Sequence, residues 1–197
     1  MIPILILAAG ESRRMRGGDK LLELVGGVPL LRRQAEMAMG FGGDVFVALP
    51  RADHPRAAMI DGLAVSPMIV PEAAEGMSGT LRAAMARMPE GTDVMVLLGD
   101  LPLIDASHLS AVLAARDAQP DAVIWRGATW EGKPGHPIIF ANEIRADFAM
   151  LEGDGGGEPL VRKHSGRTVL CPLPDDIARL DLDTPEEWAA FRERTGL

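Results

Sequence analysis

Short, uninterrupted apolar runs separated by stretches of helical spacing constrain this chain more than any other feature. Ile2 to Leu7, Val45 to Leu49, Ala64 to Val70, Val94 to Leu98 and Ala122 to Trp125 are continuous and apolar, as strands buried on both faces must be. Between them, Leu81, Ala84, Met85 and Met88 form an i, i+3, i+4, i+7 stripe behind Ser78, whose hydroxyl suits a helix N-cap. Leu109, Val112 and Leu113 repeat the pattern behind Asp105 or Ser107. Right-handed crossovers put helices on both faces of a parallel sheet, so the spacing predicts an α/β, doubly wound, mostly parallel, Rossmann-like fold.

The later third changes character. Trp125 to Phe140 carries Gly127, Gly132, Pro134, Gly135 and Pro137 between apolar stretches, which predicts a hairpin or covering loop inserted over the sheet. Residues 153 to 157 read Gly-Asp-Gly-Gly-Gly, a loop that a ligand can approach closely. Thr184, Pro185 and Glu187 form a capping box for a last helix whose apolar face is Trp188 and Phe191.

Several function classes are excluded early. With 47% hydrophobic and 24% charged residues the chain is not disordered, and its 197 residues suit one domain. A net charge of −8 repels nucleic acid and anionic lipid, so neither is an expected partner. The lone Cys171 makes no internal disulfide and points to a reducing, cytoplasmic compartment. The apolar opening from Ile2 to Ala9 is far shorter than the roughly 20 residues of a membrane span and reads as a buried strand.

Chemistry concentrates after that first strand. Ala8, Ala9 and Gly10 are small enough for backbone to approach a ligand, and sheets of this class bind ligands beyond the carboxyl ends of their strands. From Glu11 to Lys20 basic residues outnumber acidic ones, with Arg14 able to fork onto phosphate oxygens and Lys20 to act as a point charge. The competing reading is a solvated basic loop, but a strand, small residues and a basic loop in that order are less common than loop charges alone. The stretch lacks the Gly-Lys-Ser/Thr ending of a P-loop and the Gly-x-Gly-x-x-Gly of a dinucleotide fold. A carboxylate for magnesium comes instead from Asp100, at the end of Val94 to Leu98, with Asp183 in Asp181-Leu182-Asp183 as the second ligand. Strand alternation would put Asp181 and Asp183 on one face. Asp100 could also cap the turn before Pro102, and Asp183 could complement the dipole of the last helix.

Taken in order, Leu7-Ala8-Ala9-Gly10 with Arg14-Met15 and Lys20, Gly76-Met77-Ser78-Gly79-Thr80-Leu81, Gly99-Asp100-Leu101-Pro102, Gly135-His136-Pro137 and Asp181-Leu182-Asp183-Thr184-Pro185-Glu186 resemble the molybdenum cofactor cytidylyltransferases. These are a branch of the molybdopterin nucleotidyltransferases. The resemblance implies a nucleotide-diphospho-sugar transferase-like fold, with residues 1–197 forming a single NTP-transferase domain. It further implies that Ala8, Ala9 and Gly10 hold base and ribose, that Arg14 and Lys20 bind the triphosphate, and that Gly76, Met77, Ser78, Gly79 and Thr80 close over the base. Asp100 and Asp183 would hold Mg2+, and His136 would meet the second substrate. Relatives using GTP look like Ala-Gly-Gly in the first loop and those using CTP like Ala-Ala-Gly, so Ala9 favours CTP.

The implied reaction is magnesium-dependent transfer of CMP from CTP to the phosphate of the molybdopterin cofactor, with release of pyrophosphate. Arg14, Lys20 and Asp100 would be the catalytic residues, and a molybdoenzyme or its chaperone the receiving partner. GTP-dependent guanylyl transfer, cytidylyl transfer to another phosphorylated acceptor, and a non-catalytic cofactor carrier are the competing readings. One departure stands out: the cytidylyltransferases look like Gly-Asp-x-Gly-Ala-Arg where this chain has Gly153-Asp154-Gly155-Gly156-Gly157-Glu158. An anionic second substrate would meet a carboxylate there, unless Arg162 or Lys163 supplies the positive charge.

Overall fold

The computed structural model describes residues 1–197. Its main sheet has seven strands in the order β5-β4-β1-β6-β8-β7-β9. The strands are β1 (Ile4–Leu7), β4 (Val45–Leu49), β5 (Ser66–Ile69), β6 (Val94–Leu98), β7 (Ile124–Ala128), β8 (Pro134–Phe140) and β9 (Thr168–Pro172). A small hairpin, β2 (Leu24–Val25) with β3 (Val28–Pro29), lies apart from it. The five expected apolar runs are all strands, with ends shifted by a few residues. β1 pairs in parallel with β4 and β6, and β4 with β5, so the ends of β1 and β6 open on the same rim.

The insertion runs differently from the expectation. Trp125 to Phe140 does form a hairpin, β7 and β8, but it joins the sheet rather than covering it. β8 pairs antiparallel with both β6 and β7, while β9 pairs with β7 in parallel. Ile138, Ile139 and Phe140 are apolar and buried, so they can occupy a sheet interior, and the turn residues gather at the hairpin tip. Gly135 is needed here, because a Cβ would collide with the Ala178 backbone of the neighbouring 3-10 turn (Ile177–Arg179).

The helices α1 (Leu30–Phe41), α2 (Pro55–Met59), α3 (Met77–Met85), α4 (Ala106–Ala118), α5 (Glu158–Lys163) and α6 (Pro185–Thr195) complete the fold. No helix is long and apolar enough to cross a membrane. Leu81, Ala84 and Met85 face the core from α3 as the stripe requires, and Met88 is buried just past its end. Ser78, however, is not the cap. Gly76 takes that place at φ +101°, and Ser78 lies inside the first turn, fully buried, donating its hydroxyl to the Gly156 carbonyl. On α4, Asp105 is the cap and His108 closes a capping box with it. α6 begins as expected: Thr184 Oγ1 accepts from Glu187 N, and the Glu187 carboxylate accepts from the amides of Asp183 and Thr184. That box fixes the backbone on which Asp183 stands. Residues 180 to 184 are not a strand but an extended approach to the helix. Thr184→Ala is expected to cost about 1 kcal/mol in urea unfolding, with the amide resonance of Asp183 shifting as its hydrogen bond loosens.

Candidate active site

Four segments meet at the rim shared by β1 and β6: the loop after β1, the turn after β6, the start of α3, and the approach to α6. The first three border a cleft of about 470 Å³ whose lining includes Ala8, Ala9, Gly10, Lys20, Asp100 and Thr80. At its mouth the Lys20 ammonium pairs with the carboxylates of both Asp100 and Asp183, the latter at 2.6 Å. Arg14 reaches the other Asp183 oxygen at 2.6 Å. Asp181 joins them, so oxygens of Asp100, Asp181 and Asp183 lie within 4.8 Å of one another.

The electrostatics follow from that crowding. Burial works against the charge on Lys20, but Asp100 and Asp183 outweigh it and hold the ammonium's pKa above its ordinary value. Burial likewise opposes ionisation of Asp183, while Lys20, Asp181 and Arg14 keep its carboxyl below the usual range. For Asp181, burial and the neighbouring Asp183 and Asp100 both push upward. Three carboxylates face two cationic side chains, and Asp100 Oδ1 is buried without a hydrogen-bond partner. An all-oxygen donor set with an unused buried oxygen and excess negative charge fits a hard divalent cation. Asp100 does not serve as a turn cap.

The remaining expected residues divide. Gly76, Met77 and Thr80 line the cleft beside Ala8, Ala9 and Gly10. Ser78 and Gly79 do not: the hydroxyl of Ser78 is spent on Gly156, and Gly79 is pressed against the Glu72 backbone. Arg14 is largely exposed and turned to Asp183, whereas Arg13 is the loop arginine on the cleft wall. His136 lies outside the cleft, in a smaller neighbouring pocket with Arg126 and Arg179. Burial and then the nearby Arg126 push its imidazole down to about 4, so the ring is neutral at physiological pH. Lys163 is committed to Asp147 at 2.7 Å, and the positive charge facing Glu158 comes instead from Arg126 on β7.

Sequence reasoning missed the residue that holds the first loop in shape. Arg56, on α2, is 2% exposed, and its guanidinium makes five hydrogen bonds. Two go to Asp19 at 2.7 and 2.8 Å, one to Ser12 Oγ at 3.0 Å, and one each to the Ala8 and Gly10 carbonyls at 2.7 Å. Only the fold brings it to the loop 37 to 48 residues earlier, so no local spacing announces it. The 3-10 turn Pro71–Glu75 was also unforeseen as cleft wall, whereas Asp154 brings the expected 153–157 loop to the cleft, its carboxylate packing against Gly76. Gln34 on α1 donates to the Leu101 carbonyl at 2.8 Å and so steadies the turn carrying Asp100.

Burial opposes ionisation of Asp19, but Arg56 and hydrogen bonds from Leu21 N and Ser12 hold its carboxyl below the usual carboxylate range. A depressed carboxyl stabilises the fold fully above the unfolded value and loses that contribution as pH falls through the native one. Arg56→Ala is therefore expected to cost about 3–5 kcal/mol at pH 7. Its acid unfolding below about pH 4 should be shallower than that of the wild type, checked by urea titrations across pH.

Known proteins share this fold and are similar in sequence. The MobA-like NTP transferase domain matches residues 4–168. The molybdenum cofactor guanylyltransferase of Ectopseudomonas mendocina is 28% identical over 191 residues, covering 95% of this chain and 90% of that protein. The bifunctional protein GlmU of Leifsonia xyli subsp. xyli is 34% identical over 123 residues, 59% of this chain but only 25% of that much longer protein. Among solved structures, Rv0371c from Mycobacterium tuberculosis H37Rv superposes with a TM-score of 0.81 at 26% identity, covering 98% of this chain and 97% of that one. A manganese complex of Rv0371C superposes at 0.75, with 28% identity and 98% coverage of both chains. The chain belongs to the MobA-like NTP transferase family and is a nucleotidyltransferase.

Proposed function

We propose that residues 1–197 act as one NTP-transferase unit that moves CMP from CTP to the phosphate of the molybdopterin cofactor, with magnesium, releasing pyrophosphate. The observation that carries the reading is the Lys20 ammonium held between Asp100 and Asp183 at the mouth of a cleft floored by Ala8, Ala9 and Gly10. The acceptor's phosphate oxygen attacks the α-phosphorus of CTP, a new P–O bond forms, and the bond to the β-phosphate breaks. That nucleophile is already ionised near neutral pH, so no side chain need take its proton.

The chain's residues supply position and charge. Ala8 to Gly10 present backbone to the base and ribose, with the Arg56 clamp fixing the Ala8 and Gly10 carbonyls. Lys20 stands where negative charge builds on the triphosphate, and Arg13 and Arg14 flank it. Asp100 and Asp183 would hold magnesium, with Asp181 beside them. The bound metal would neutralise phosphate charge during transfer.

Ala9 supports CTP, because its methyl group narrows the base end of the cleft, where the family's GTP users resemble Ala-Gly-Gly. The likeness to a molybdenum cofactor guanylyltransferase supports GTP as the second reading. Pyrophosphate release, measured with magnesium, molybdopterin and each of CTP, GTP, ATP and UTP separately, decides between them. Release with CTP alone is expected. Release with GTP alone would overturn the base assignment, and none with any nucleotide would shift the reading to another phosphorylated acceptor or to a cofactor carrier. Asp100→Asn is expected to lower turnover by at least about a hundredfold while the protein stays folded, since Lys20 keeps its bond to Asp183. Near-normal turnover in that variant would remove Asp100 from the mechanism.

A further inference from the structure

The smaller pocket, about 220 Å³, shares Leu98 with the nucleotide cleft; Asp100 lines one and Asp181 the other. Two guanidinium groups stand on its wall. Arg126 rises from β7, a strand buried along its whole length. Its Nε donates to the Gly135 carbonyl at 3.2 Å, and its Nη1 lies 3.6 Å from Glu158 Oε2. That is well beyond the roughly 2.7–2.9 Å of a charge-assisted bond. The contrast with Arg56, also buried but fully engaged, is plain. Arg179 adds a second positive charge and is anchored through the Pro134 carbonyl at 2.9 Å. On the same wall, His136 Nδ1 is buried without a hydrogen-bond partner.

Burying Arg126 beside another arginine, with Glu158 at long range as its one carboxylate partner and Asp181 elsewhere on the pocket wall, is costly unless an anion completes the site. We propose that this pocket binds a phosphate-bearing group of the acceptor through Arg126 and Arg179, and that Glu158 is an internal anion which this group replaces. The word acceptor rests on the nucleotidyl-transfer reading above. A phosphate can take the fork of Arg126 with two oxygens, whereas Glu158 offers one oxygen at long range. The Glu158 side chain is already more than half exposed, so it returns to water at little cost. Its place in the chain links the two pockets. Glu158 opens α5 directly after the 153–157 loop, which sends Asp154 into the nucleotide cleft and receives the Ser78 hydroxyl at Gly156.

The test is a titration of the ¹⁵N-labelled full chain with inorganic phosphate, following the arginine Nε–H signals. Arg126 and Arg179 are assigned by their loss in Arg126→Gln and Arg179→Gln. Both signals are expected to move together and saturably in the wild type. Arg126→Gln should weaken phosphate binding at the Arg179 signal at least tenfold, and Glu158→Gln should tighten it severalfold by removing the competing carboxylate. Glu158→Gln alters an exposed side chain, so it keeps the test decisive if Arg126→Gln folds poorly. A still Arg126 signal, or phosphate binding unchanged or weakened in Glu158→Gln, would overturn the proposal. Magnesium-dependent binding of a fluorescent CTP analogue is measured in parallel. If the wild type binds phosphate at Arg126 but no nucleotide, the transferase reading fails and the anion site survives it.

Discussion

One ammonium group ties the working end of this molecule together. Lys20 follows the first strand, Asp100 follows the fourth run of the central sheet, and Asp183 precedes the last helix, 163 residues away from the lysine. Three segments far apart in sequence thus converge on a single charge. Each carboxylate would be costly so close to the others without a cation, and the lysine would be costly at this depth without them. The arrangement that ties these segments together at the rim is also the one on which the proposed triphosphate and metal binding rests.

The floor of the cleft is held by a different device. Arg56, which also lines the cleft, spends its five hydrogen bonds on the backbone and side chains of the first loop. Its partner Asp19 is adjacent to Lys20, so the clamp and the charged junction share one short stretch of chain. Stability and site geometry are therefore coupled there: loosening Arg56 releases Ala8, Gly10 and Asp19 together.

Much of this was legible in the sequence, and the reasons are specific. Continuous apolar runs reported strands buried on both faces, and Lys20, Asp100 and Asp183 could be placed at strand and helix ends where ligands gather. The capping box at Thr184 and Glu187 was visible because both partners lie within one helical turn. What could not be seen depended on contacts between distant segments. Arg56 has no local signature, Ser78 looked like a cap because Gly156 was not known to be its partner, and the turn-rich 125–140 segment hid apolar residues that enter the sheet. Asp181 and Asp183 do converge, but through an extended approach to α6 rather than through strand alternation. Nothing in the sequence singles out Arg126; its burial depends on β7 lying inside the sheet, paired with β8 on one side and β9 on the other.

The central claim is that the Lys20–Asp100–Asp183 junction is completed by metal and nucleotide together. Mn²⁺ binding followed by electron paramagnetic resonance, with and without CTP, tests it most directly. Because Lys20 already occupies the carboxylates, the account predicts weak Mn²⁺ binding to the protein alone and binding at least tenfold tighter with CTP present, an enhancement lost in Asp183→Asn. Mn²⁺ affinity that is indifferent to CTP, or an enhancement that persists in Asp183→Asn, would contradict it.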